Sequence, residues 1–104
     1  PNTPTPTPTP PSAPTGLQAV ALPRIGVLLT WSPLVAGKGV TYNVYRSPTT
    51  PVPLDDAHRI ASGLRVGLYL DLDGRAGLYY VVTAQNAAGE SGPSNTAQAQ
   101  SPWP

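Results

Sequence analysis

The sequence predicts an all-β fold, a two-sheet β-sandwich of seven short antiparallel strands. Three observations carry that expectation. Beyond residue 14 the apolar residues recur with period two rather than 3.6. Turn-forming Pro, Gly, Asn and Asp interrupt the pattern at intervals of about eight to twelve residues. No stretch holds an apolar helical stripe bounded by caps. Short strands with one apolar face bury it only against a second layer, so two stacked sheets follow.

The chain opens with a segment that can be neither strand nor helix. Seven of the 15 prolines fall within the first 14 of 104 residues, a stretch without charge. Proline fixes φ and removes a backbone donor, which leaves extended polyproline II at ~3.1 Å per residue. Residues 1–13 are therefore expected to be a semi-rigid Pro/Thr-rich linker. Its Pro-x-x-Pro registers would suit an SH3-like groove, but the repetition needs no partner. Thr3, Thr5, Thr7 and Thr9 stand beside prolines as in the O-glycosylated stalks of secreted proteins, which points to an extracellular address. Pro at position 1 and the lack of any Met suggest a piece of a longer chain or a processed product.

The strands follow in order. Leu17 to Ala21 is the first, ended by Pro23 and Gly26. Val27 to Trp31 is the second, with Val27, Leu29 and Trp31 on one face, and Ser32-Pro33 is expected to stop it. Val40 to Arg46 is the third; Val40, Tyr42 and Val44 share one face, Thr41, Asn43 and Tyr45 the other. A loop bearing Pro48, Pro51 and Pro53 leads to a short edge strand, His58 to Ala61. Leu68 to Asp71 comes next, and Asp73-Gly74 turns the chain into Leu78 to Ala84, the run with the highest strand propensity. Asn86 to Pro93 reads as a loop, and Thr96 to Gln100 as the last strand.

In this order and spacing, several strings resemble a fibronectin type III domain of the kind found in secreted bacterial carbohydrate-active enzymes. They are Pro14-Thr15-Gly16-Leu17, Leu29-Thr30-Trp31, Tyr42 to Ser47, Tyr69-Leu70-Asp71, and Tyr79 to Ala84 running into Asn86-Ala87-Ala88-Gly89-Glu90-Ser91. The resemblance implies an immunoglobulin-like sandwich over residues 14–100, with 101–104 starting a second linker. The expected core is Leu17, Leu29, Trp31, Tyr42, Val44, Leu72, Tyr80, Val82 and Ala84. The family pattern also places a Leu six residues before a corner Tyr. Here these positions hold Leu72 and Leu78, so the corner hydrogen bond is expected to be missing. A one-residue shift would give the role to Tyr79 but would turn Tyr80, Val82 and Ala84 outward, so the unshifted register is expected.

Composition narrows function. Six scattered cations against five acids give a net charge of +1, without the basic stripe of a nucleic-acid binder. No Cys and one His leave no thiolate or multi-imidazole metal site. The longest apolar run falls far short of the ~20 residues of a membrane-spanning helix. The five acids, Asp55, Asp56, Asp71, Asp73 and Glu90, lie in loops or at strand ends rather than facing one another as a glycosidase pair would. Asp55-Asp56 beside His58 reads as solvated turn residues. Asp71-Leu72-Asp73-Gly74 lacks the third oxygen ligand and the distal Glu of a calcium loop. There is no Gly-x-Ser-x-Gly elbow for nucleophilic catalysis. The reading is a non-catalytic chain with no catalytic residues, metal or cofactor.

Binding has one candidate site. Tyr45 and Tyr79 have the outward parity on strands that the resemblance makes neighbours, so they are expected to form an exposed aromatic pair beside Val81, a stabilising cross-strand contact or a platform for sugar rings. The expected role is a monomeric spacer that orients neighbouring domains of a secreted bacterial glycoside hydrolase or related polysaccharide-degrading enzyme, with no nucleic-acid or membrane partner. The alternative is a carbohydrate- or protein-binding module that uses this aromatic face. Trp103, past the last strand, belongs to the second linker.

Overall fold

The computed structural model describes residues 8–103. The first half of the Pro/Thr linker, residues 1–7, and Pro104 lie outside them, and residues 8–13 form no helix or strand. The strands are β1 (Thr15–Leu22), β2 (Gly26–Val35), β3 (Thr41–Ser47), β4 (Arg59–Leu64), β5 (Val66–Asp71), β6 (Tyr79–Asn86), β7 (Gly89–Glu90) and β8 (Ala97–Gln98). They form two sheets, β1-β2-β5 and β4-β3-β6-β7, with β8 also paired to β6.

Alternation along each strand builds the space between the sheets. From β2 come Val27, Leu29 and Trp31, from β3 Tyr42 and Val44, and from β6 Tyr80, Val82 and Ala84, all buried in one cluster with Leu17, Leu78 and Ala99. Trp31 meets Tyr42 edge to face, with ring centroids 5.4 Å apart and planes at 89°, the arrangement the aromatic quadrupole favours. The Tyr42 hydroxyl donates to the Pro33 carbonyl at 2.7 Å. Among the described residues the buried indole N–H of Trp31 has no hydrogen-bond partner.

Four sequence expectations change. Leu72 is not in the core: it is 71% exposed. On β5 the inward positions are Gly67, Tyr69 and Asp71, so Leu72 shares the outward parity of the exposed Leu68 and Leu70. Leu78 is buried at this end of the core instead.

Ser32-Pro33 does not stop β2. The β2–β5 register jumps between Thr30↔Leu68 and Val35↔Val66, so Trp31 to Leu34 bulge opposite Gly67, and Pro33 sits where no ladder bond is required. Gly67 permits this approach. A Cβ there would stand 2.4 Å from the Trp31 carbonyl oxygen and 2.9 Å from that of Pro33.

The expected loop from Asn86 to Pro93 begins as a hairpin, with Asn86 paired to Gly89 and Gln85 to Glu90.

That hairpin adds β7 inside the expected loop, and the expected last strand, Thr96 to Gln100, shortens to β8, giving eight strands among the described residues rather than seven. Pro93 interrupts the edge, yet β6 remains satisfied. The Ser91 and Ser94 backbone N–H groups donate to the Ala84 and Val82 carbonyls. In return the Ala84 and Val82 N–H groups donate to the Ser91 and Ser94 hydroxyls, each at 2.9 Å. Serine side chains thus replace the carbonyls that a continuous strand would have supplied.

Candidate functional site

The outer face of the β3–β6 pair holds the two tyrosines singled out as a binding pair. Register places Tyr45 opposite Val81 and Ser47 opposite Tyr79. The face is not open at Tyr45, which is only 1% exposed. The proline-bearing loop between β3 and β4 folds back, and its Val52 packs on Tyr45 and Val81 to make a second small apolar cluster, with Tyr79 half-buried at its margin. The expected exposed aromatic pair is therefore absent. A prolyl loop beside an outward tyrosine has an apolar residue of its own to bury, and this one buries it on the sheet.

A polar group continues the same face. The Tyr45 hydroxyl donates to Glu90 Oε2, and the Thr83 hydroxyl donates to the same oxygen at 2.5 Å. Asn43 Nδ2 reaches Gln85 Oε1 at 3.0 Å and Thr83 Oγ1 at 3.2 Å. Burial, and then the Glu90 carboxylate, push the Tyr45 phenol above its ordinary pKa. Glu90 thus acts as the acceptor for buried donors. Only its sequence distance from Tyr45 hid it.

The remaining acids also have structural partners. Asp55 caps a turn: the His58 backbone N–H donates to its Oδ1 at 3.0 Å, and the His58 ring Nδ1 lies 2.6 Å from the same oxygen. This contact lowers the Asp55 pKa. Asp56 pairs with Arg59 at 2.6 Å. Asp71, at the end of β5, is buried between the sheets. Arg46 Nη1 donates to both of its oxygens at 3.0 and 2.9 Å, and the Tyr80 hydroxyl donates to Oδ2 at 2.7 Å. Burial and Asp71 push the Tyr80 phenol far above its ordinary pKa. Among the described residues no phenol of β6 bonds back to the loop backbone; the Tyr80 hydroxyl instead holds the Asp71 carboxylate, from within the unshifted register. Among the described residues no three His, Cys, Asp or Glu side chains gather as a metal-holding group.

The entry of the chain is tied to the domain body. Asn86 Nδ2 donates to the Thr9 carbonyl at 2.9 Å, while Asn86 Oδ1 accepts from the Ala88 N–H at 2.8 Å. A Cβ on Gly89 would lie 3.6 Å from the Pro10 ring. Pro14 is fully buried. The Asn95 side chain accepts from the Leu17 N–H at 2.9 Å and donates to the Leu17 carbonyl at 3.0 Å, as a neighbouring strand would. Asn86 and Asn95 give no signal in the sequence, because lone amides in predicted loops carry no pattern.

No family model and no curated protein matches the sequence. Solved structures do. An Fn3-like protein from Clostridium thermocellum is 32% identical, over 88% of this chain and 94% of that one, with a TM-score of 0.69. The exotype rhamnogalacturonan lyase YesX is 26% identical over 86% of this chain but only 14% of its own, with a TM-score of 0.65. A rhamnogalacturonan lyase from Bacillus licheniformis is 25% identical, again over 86% of this chain and 14% of its own, with a TM-score of 0.56.

Proposed function

This chain belongs to the fibronectin type III family, and we propose that it is a non-catalytic module that spaces and orients neighbouring domains of a secreted bacterial polysaccharide-degrading protein. Residues 1–13 serve as a linker, 14–100 as the domain and 101–104 as the start of the next linker. The fold belongs to a class that is generally non-catalytic, and in both lyases the matched region is a small fraction of a much longer enzyme. The module's partners are then its neighbours in the polypeptide, and it works extracellularly as a monomer.

The observation that carries the orienting role is the tied entry. From Thr9 to Leu17 the chain is held by the Asn86 amide, the approach of Pro10 to Gly89, the buried Pro14 and the Asn95 pair. A proline-rich segment propagates the direction of its anchor, because its φ angles are fixed. A flexible hinge at residue 9 would lose that direction. The carbohydrate-platform alternative has no support from Tyr45, which is covered, and a lone half-buried Tyr79 offers no pair to stack on.

The chain has no Cys, so paired spin labels can be introduced cleanly. With labels at Thr5→Cys and Ala76→Cys, a narrow distance distribution is expected, broadened by Asn86→Ala. A broad distribution in the chain that retains Asn86 overturns the orienting role.

A further inference from the structure

At the end of β6 opposite the tied entry, the β1–β2 turn and the β5–β6 loop enclose an open cleft of about 430 Å³. This falls in the range of ~300–1,000 Å³ typical of ligand clefts. Its apolar surface includes Leu22, Ile25, Leu72 and Ala76, and two of these are left in water, Ile25 at 53% and Leu72 at 71% exposure. Arg24 and Arg75 line it too, and no acid does. Among the described residues neither arginine has an ion-pair partner. Apolar surface, two uncompensated cations and concavity therefore coincide.

The backbone supplies a second, independent observation. The turn from Leu22 to Ile25 is closed by the Ile25 N–H donating to the Leu22 carbonyl at 3.0 Å, with Pro23 in its second position. The third position has positive φ, which Gly or Asn adopts most easily. Here it is Arg24, at φ 66°, the only non-glycine with positive φ among the described residues. A residue that strains its turn places a guanidinium beside the cleft. Strain of this kind concentrates where a side chain is needed for binding.

We propose that this cleft binds an acidic, aliphatic peptide segment of a protein partner. Carboxylates pair with Arg24 and Arg75, whose planar guanidinium groups match them. An aliphatic side chain between them covers Ile25 and Leu72. A sugar fits less well. The wall has no aromatic plane for a ring to stack on, and apart from the arginines Ser101 is its only polar side chain to satisfy hydroxyls that would lose water.

The test is a titration of the ¹⁵N-labelled chain with acetyl-Leu-Asp-Leu-Glu-amide at millimolar concentration, following the amides of Arg24, Ile25, Leu72 and Arg75. Saturable shifts at these positions are expected, weakened by added salt and reduced several-fold by Arg75→Gln. Arg24→Gly is expected to abolish them while leaving the thermal midpoint equal or higher, because the turn is relieved. That opposition separates binding from folding. The proposal is overturned by absence of shifts, by equal shifts with a peptide carrying Lys in place of the acids, or by retained binding in Arg24→Gly. It is also overturned if oligogalacturonate moves these resonances and the peptide does not, or if self-association of the chain alone accounts for the shifts.

Discussion

Tyr80 on β6 and Asp71 at the end of β5 join the two sheets, the phenol donating to Oδ2 at 2.7 Å while Arg46 of β3 donates to both carboxylate oxygens. Gly74 lies against this junction: a Cβ on it would stand 2.5 Å from the Tyr80 hydroxyl and 2.8 Å from Asp71 Oδ2. Tyr80→Phe removes one donor from a buried carboxylate and leaves the ring in place. A loss of about 1.5–3 kcal/mol is expected, the range for hydrogen bonds to charged groups. Tyr79→Phe, half-buried on the opposite face, is expected to change stability by less than about 0.5 kcal/mol. Urea denaturation of both variants measures the difference, and equal losses would mean that the Tyr80 hydroxyl does not join the sheets.

The same phenol sets the response to alkali. Burial and Asp71 raise its pKa above the ordinary value of 10.0, and burial raises those of Tyr42 and Tyr45 as well. Above pH ~10 the unfolded chain releases phenolic protons that the folded chain retains, so the folded state binds more protons and stability falls as pH rises. Below that pH the contribution is fully present. The slope for Tyr80 is about 1.4 kcal/mol for each pH unit. Thermal midpoints from pH 8 to 11.5 are expected to drop steeply above 10, and Tyr80→Phe is expected to make the drop shallower.

Tyr45 gives the sharpest contrast between an outward-facing residue and an exposed one. With its ring under Val52 and its hydroxyl on Glu90, Tyr45→Ala is expected to cost about 3–5 kcal/mol, as for other buried aromatic truncations. Tyr45→Phe keeps the ring packing and loses only the hydroxyl contact, so it is expected to cost less. A cost below about 0.5 kcal/mol for the alanine variant, measured by chemical denaturation, would return Tyr45 to the surface.

How far the fold could be read from sequence differs from strand to strand for a physical reason. Period-two alternation places Val27, Leu29 and Trp31, or Tyr80, Val82 and Ala84, on one face without ambiguity, and these side chains fill the core. Parity alone does not say which outward face a loop will cover, so from sequence Tyr45 reads as exposed. A family spacing puts Leu72 in the core, whereas its own strand's parity, with Leu68 and Leu70, points it to water. The pairing of the Asn86 to Pro93 segment with β6 is obscured in the sequence because Ser91 and Ser94 do backbone work through their side chains. The cleft at Arg24 and Arg75 joins turns about fifty residues apart in sequence, a proximity that only the sheet pairing creates.

Those serines carry a prediction of their own. Ser94→Ala leaves the Val82 N–H without its acceptor in the buried interior of the sheet, and Ser91→Ala does the same to Ala84. Each is expected to cost about 1–3 kcal/mol, the penalty of an orphaned buried donor. Hydrogen exchange locates the effect. The Val82 amide is expected to lose protection in Ser94→Ala and the Ala84 amide in Ser91→Ala, each without the other. Water in the vacated space would soften the loss, but it could not leave both amides as protected as before, because exchange needs only such access. Unchanged protection at both positions would mean that the hydroxyls are not the ladder partners of β6.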